Sequence, residues 1–391
     1  MTALLTRLMG RLPIGWLQLA HSRTRFLAAL AGVAFANILV FVQLGILGAL
    51  NDSTVAPYDL FGGDIMISSV DANTLTDGSN VARTRMFQAL GTPGVADAAP
   101  LFIGNIEWQR EDGGSSTLQV VGLDPDRPAF VPASLRAPVA GLRISDTVLL
   151  DESTRGLPAG ALDGASSASP YRFELAGRAV EAVGTVSVGG GFTADGTLYA
   201  SDQTFLRLFG SRSSAAPNHV LVTVEDGIDP GVVVDRLRAV LPGDVVKVAT
   251  KTDMAAADLT YQTTERPTGV IFGFGVAIGI VVGLVIVYQV LSTDVADHLR
   301  EYATFKAMGY GQRFFLGIVL EEAVILAVLG FVPGVAISAA IYSAMAAATG
   351  LPLAMGVDRA AMVLAGTIAA CVVSGAIATR RLAAADPADL F

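Results

Sequence analysis

The sequence predicts a membrane α-helical protein with four transmembrane helices, plus a large mixed α/β extracytoplasmic domain inserted between helices 1 and 2. Three observations carry that reading. The 391 residues are 52% hydrophobic and only 16% charged, with a mean hydropathy of +0.56, which is too apolar for a soluble chain of this length. Four long apolar runs are unevenly spaced, one near the start and three in the last third. Residues 51–267, between the first two runs, hold 27 Asp and Glu against 16 Lys and Arg, whereas residues 1–25 hold four Arg and no acid. The net charge of -9 is therefore concentrated in one segment, and a cytoplasmic start with an exported middle follows.

Residues 1–25 set Arg7, Arg11, Arg23 and Arg25 among leucines and Trp16, which reads as an amphipathic lead-in on the cytoplasmic surface. The apolar run 26–50 has no charge and spans about 37 Å as a helix, longer than the apolar core of a signal peptide. It is taken as the first transmembrane helix. Residues 51–267 carry short β-like runs at 64–68, 101–108, 118–121, 147–150, 186–188, 198–200, 220–224 and 245–248, with helical patterns at 83–90, 203–209 and 231–241. The domain ends in a stalk helix, 252–267, expected to run straight into the second transmembrane helix at 268–291. The third and fourth spans are 314–348 and 360–379, joined by an outside loop, 349–359. In the third, Pro333 between Gly330 and Gly334 predicts a kink. Arg380 and Arg381 open a cytoplasmic tail, 380–391, so both termini lie inside.

Residues 292–313 form a short charged island between the second and third spans. Val295, Leu299, Tyr302, Phe305 and Met308 recur at helical spacing, with Arg300, Glu301 and Lys306 among the residues filling the other positions. The spacing predicts an amphipathic helix over 294–308, stopped by Gly309. Such a helix suits docking against a cytoplasmic partner; a plain interfacial anchor is the alternative.

Little else points to chemistry. Glu321 and Glu322 are the only acids inside an apolar run, and a membrane carboxylate is either functional or paired. His21, His219 and His298 show no metal-ligand spacing. The Gly189, Gly190, Gly191 stretch lacks a following Lys-Ser/Thr and reads as a tight turn rather than a phosphate loop. No Walker A pattern occurs, so any ATP hydrolysis belongs to another polypeptide. The acidic balance argues against nucleic-acid binding. Cys371, the single cysteine, lies in the last apolar run, so the exported segment must be held by its own core.

The segment HLREYATFKAMGYGQRFFLGIVLEEAVILAVLGFVPG resembles the permease subunits of ABC transporters in the MacB and FtsX group, most closely the DevC-like permeases. The stretches GLDPDRPAF, SDTVLLDESTR, FTADGTLYASDQTFLRL and RRLAAADPADLF also look DevC-like, so the resemblance covers nearly the whole chain. It implies a homodimeric permease of the bacterial inner membrane, with its large domain periplasmic, that binds no cofactor itself. It further implies a separate ABC ATPase subunit that uses ATP, a membrane-fusion adaptor in the periplasm and, in many systems, an outer-membrane channel. In this group ATPase closure is relayed mechanically to the periplasmic domains rather than through a pore. Carried onto this chain, the coupling helix would be 294–308, with Glu301 at the acidic position of the group's Arg-Glu pattern and Gly309 at its glycine. Tyr302 stands where the wider group carries an aliphatic residue. The cargo implied is a lipid, glycolipid or other amphiphile, drawn from the membrane. An FtsX-like regulator that activates an extracytoplasmic hydrolase without transport is the other function, and the size of the exported domain favours the exporter.

Overall fold

The computed structural model describes residues 14–21, 23–110, 113–158, 160–298, 304–306, 308–351 and 353–384. The chain divides into two compact units. The described residues within 1–47, 271–345 and 353–391 form a helix unit; those within 48–270 and 346–352 form a sheet unit.

The helix unit contains α1 (Ile14–His21) and most of four long helices: α2 (Arg23–Val55), α7 (Pro267–Asp297), α8 (Gln312–Thr349) and α9 (Val357–Ala384). All four are long and apolar enough to cross a membrane. Each overruns its apolar sequence run by a few residues, because helical hydrogen bonding continues into the polar flanks. α8 runs unbroken through Pro333, and the two flanking glycines have a packing role. A Cβ on Gly330 would lie 2.7 Å from Val33 Cγ1, and one on Gly334 would lie 2.9 Å from Asn37 Cβ. The pair, four residues apart, forms a small-residue face that brings the backbone of α8 close to α2. The Gly330 and Gly334 pair around Pro333 therefore makes a close helix contact. Gly45 does the same for Tyr342, whose hydroxyl donates to the Phe41 carbonyl.

The sheet unit is built on one nine-stranded mixed sheet, in the order β5-β6-β4-β7-β3-β2-β8-β1-β9. The strands are β1 (Ile65–Ser69), β2 (Val95–Gln109), β3 (Ser115–Leu123), β4 (Thr147–Asp151), β5 (Tyr171–Leu175), β6 (Arg178–Val186), β7 (Gly196–Ser201), β8 (His219–Val224) and β9 (Val246–Thr250). Two neighbouring pairs are parallel, β3 with β7 and β4 with β6; the others are antiparallel. β2 joins two halves: its first part pairs with β8 and its second with β3. Helices α3 (Thr84–Leu90) and α5 (Pro230–Val240) contribute Met86, Val233 and Leu237 to one core with β1, β8 and β9. Helix α4 (Asp202–Leu208) packs Phe205 and Leu208 on the other half. Across the sheet, a further core takes Met254 and Ala255 from α6 (Lys251–Thr264).

The stalk is not continuous with the next helix. α6 stops at Thr264 and α7 begins at Pro267, with Glu265 and Arg266 between them. Proline has no N–H to extend α6 and its ring disfavours helical backbone in the residue before it, whereas at the first position of a new helix it fits. Gly269 permits the turn, since a Cβ there would strike the Gln262 carbonyl. Arg266 pairs with Asp77, in a loop that Asp258, His219 and Lys247 also hold. The 189–191 stretch is a turn organised by a buried acid. Asp151 accepts from the N–H groups of Val188 and Gly189, and Gly191 N–H closes on the Ala194 carbonyl. A carboxylate thus occupies amides that a phosphate loop would offer.

Candidate functional site: the turn between α7 and α8

Of the residues expected in the coupling helix, Leu299, Arg300, Glu301 and Tyr302 lie outside the described residues. The second span, expected to end at 291 with a separate helix starting at 294, instead continues as α7 to Asp297. No glycine or proline interrupts that stretch, so the helix extends beyond the apolar run. Asp297 pairs with Arg25 of α2 at 2.7 Å, an exposed contact worth at most about 1 kcal/mol.

The described part that follows is a well-formed helix terminus. Residues 304–306 are helical, Gly309 sits at φ +92°, Gly309 N–H donates to the Lys306 carbonyl and Tyr310 N–H donates to that of Phe305. This is the Schellman pattern, in which a left-handed glycine lets two otherwise orphaned carbonyls be satisfied. The hydrophobic contact that accompanies it is also present. The Phe305 and Tyr310 rings are 5.7 Å apart, and both approach Phe314, at 5.9 and 4.5 Å.

That geometry separates two residues the sequence placed on one stripe. Phe305 is half-buried and packs on the helix-unit core beside Phe314, while Met308 is 60% exposed and Tyr310 46% exposed. Lys306 is half-buried. The outward apolar surface is therefore Met308 and Tyr310. Sequence reasoning passed over Tyr310, although an aromatic just after the stop glycine and five residues after Phe305 is the signal for this cap.

Glu321 and Glu322 are both buried, and α1 covers them. Trp16 N–H donates to Glu321 Oε1 at 3.4 Å, and a Cβ on Gly15 would lie 2.8 Å from Glu322 Cγ. Gly15 lets α1 settle on this turn of α8, and backbone N–H groups early in a helix favour a carboxylate. The lead-in helix is thus part of the setting of both acids. Among the described residues no three His, Cys, Asp or Glu side chains converge as a metal site.

The long helices and the separate sheet define a multi-span membrane protein with a large domain outside the bilayer. Residues 273–387 match the family model described as FtsX-like permease C-terminal, so this segment is an FtsX-like permease domain and the resemblance to the MacB and FtsX group holds at that level. A search of curated proteins returns no match. Several solved structures are similar to the chain, among them the following two. The periplasmic region of MacB from Actinobacillus actinomycetemcomitans is 12% identical with a TM-score of 0.33, covering 51% of this chain and 93% of that one. The extracellular domain of the noncanonic ABC-type transporter YknZ from Gram-positive bacteria is 11% identical with a TM-score of 0.32, covering 48% and 98%.

Proposed function

We propose that the chain is the permease subunit of a MacB-type ABC exporter of the DevC-like branch. In this reading it works as a homodimer in a bacterial inner membrane with both termini cytoplasmic. A separate ABC ATPase docks on the turn between α7 and α8, and its closure is relayed to the sheet unit and a membrane-fusion adaptor to drive export of a lipid, glycolipid or other amphiphile. The observation that carries the reading is the outward pair Met308 and Tyr310, on a capped turn within an FtsX-like permease domain. A helix end whose carbonyls are satisfied and whose cap aromatic packs on Phe314 presents a fixed apolar contact, which is what a groove on a partner requires. Exposed apolar side chains at such a place gain more from a partner than from water.

The test is affinity purification of the tagged chain from native membranes in mild detergent, wild type beside Met308→Asp, with bound proteins identified by mass spectrometry. Wild type is expected to recover an ABC ATPase and an adaptor; Met308→Asp is expected to lose the ATPase and keep the adaptor. Met308 is the better probe than Phe305, since Phe305→Asp would place a charge against the helix unit's own core. Equal ATPase recovery by both proteins would remove the docking assignment. Recovery of an ATPase with a cell-wall hydrolase and no adaptor would replace export by regulation.

A further inference from the structure

Residues 48–55 of α2, 267–270 of α7 and 346–349 of α8 belong to the sheet unit. The first two are continuous with it along the chain, α2 through a short helical turn (Ala56–Leu60) to β1, and α7 from α6. The end of α8 has no such continuity, because the chain turns at Gly350 and goes on to α9. Contact alone holds it. Gly350 sits at φ +66° and its N–H donates to the Ala346 carbonyl at 2.8 Å, so it is the left-handed stop of α8.

The contact is made by the Gly189–Gly191 turn. A Cβ on the buried Gly190 would lie 3.3 Å from the Gly350 carbonyl oxygen, and one on Gly191 would lie 3.4 Å from Ser53 Cβ in α2. Glycine is what lets backbone come this close. A Cβ on Gly350 would in turn lie 3.2 Å from Arg155 Nε, which puts a guanidinium at the C-terminus of α8, where positive charge is favoured. The turn is tied to the sheet at both ends. Val188 packs on the core and Asp151 accepts from Val188 and Gly189. At the far end Asp195 accepts from Thr117 N–H at 2.9 Å and pairs with Arg155 at 3.0 Å. Its own N–H donates to the Thr117 carbonyl, and its carbonyl accepts from Arg155 N–H. A loop tied to strands in this way moves with them.

We propose that the 189–195 turn is a seat that ties the end of α8 to the sheet and to the end of α2, so that displacement of one is passed to the other. The seat lies within the sheet unit and does not depend on the chain's being an exporter. It is tested with the full chain in phosphatidylcholine nanodiscs, by hydrogen–deuterium exchange read by mass spectrometry on peptides covering 346–351. Exchange there reports opening of the last turn of α8. The first protein is Ser53→Cys with Gly191→Cys. A Cβ on Gly191 meets no other described atom within 4 Å, and its distance from Ser53 Cβ is close to the roughly 3.5–4.5 Å of a disulfide. Cys371, the only native cysteine, is buried. Mild oxidation should join the new pair, and the joined protein should exchange across 346–350 about threefold more slowly than the same protein reduced, because the stiffened turn also holds α8. The second protein is Gly190→Val. Gly190 is not a left-handed glycine, so valine brings bulk against Gly350 without backbone strain, and exchange should rise about tenfold there while β4 and β7 keep theirs. Equal exchange across 346–350 in the oxidised and reduced pair would overturn the seat, as would failure of the pair to join. Unchanged exchange in Gly190→Val would do the same; if that variant does not fold, the cysteine pair, which adds no bulk, still decides.

Discussion

Phe205→Ala is expected to lower the stability of the sheet unit by about 4 kcal/mol, the usual cost of emptying a phenylalanine site in a close-packed core. Phe205 is fully buried, with its ring 5.5 Å from Phe102 and stacked 4.3 Å from Phe209. The site has little room to collapse. α4 rests where β2 and β3 carry glycines: a Cβ on Gly122 would lie 2.8 Å from Phe205 Cβ, and one on Gly104 would lie 3.0 Å from the Phe209 ring. The helix is also fixed at its start, where Ser201 accepts from Thr204 N–H at 3.1 Å. The loss therefore appears as a cavity rather than a shift of the helix. Trp108 belongs to the same core, and Trp16 is the only other tryptophan, so Trp108 fluorescence in a Trp16→Phe background reports unfolding of this region. Urea titration should show a large fall in midpoint for Phe205→Ala and less than half of it for the half-buried Leu206→Ala. A midpoint unmoved by Phe205→Ala would mean that this core does not hold the unit together.

The parts of the fold legible in the sequence are those where local pattern and burial agree. β4, β7 and β8 are short apolar runs buried over most of their length, and α4 and α5 begin close to their turn signals. β5 and most of β6 escaped because the outermost pair keeps charged residues: Arg172 and Glu181 form a cross-strand ion pair, and β5 buries only part of its surface. The first half of β2 was hidden by small residues and by Pro100, which nonetheless sits in register opposite Val220. Pro267 carried a legible helix-start signal that a reading based on hydropathy alone passes over. Gly190 and Gly191 were legible as a turn, and only the fold shows Ser53 and Gly350 beside them. The outward direction of Met308 likewise depends on the cap geometry, which sets it apart from Phe305 although both fit the same helical stripe.

Between pH 6.5 and 5, the sheet unit is expected to lose about 2 kcal/mol of stability through His219. This imidazole is buried between β8 and the loop that also receives Arg266. Its Nε2 faces the Leu75 carbonyl at 2.8 Å and its Nδ1 faces Ser68 Oγ at 2.8 Å. A carbonyl can only accept, so Nε2 carries the proton and Ser68 donates to Nδ1, an arrangement that needs the neutral ring. Burial, aided by the nearby Lys247 charge and opposed by the Leu75 hydrogen bond, pulls the pKa from 6.5 down to about 4. As pH falls below 6.5 the unfolded chain takes up a proton that the folded one refuses until about 4, so stability present above 6.5 is lost through that window. Asp258, whose carboxyl accepts from Leu75 N–H and Tyr58, acts in the opposite sense, because burial raises its pKa and the folded form gains a proton first. Comparing wild type with His219→Gln isolates the imidazole, since Asp258 is common to both. The gap in stability between pH 6.5 and 5, read from Trp108 unfolding curves, should shrink by about 2 kcal/mol in the variant. Parallel pH dependence in the two proteins would show that the ring is not held neutral, and that the loop joining α6, β8 and Arg266 is looser than its hydrogen bonds imply.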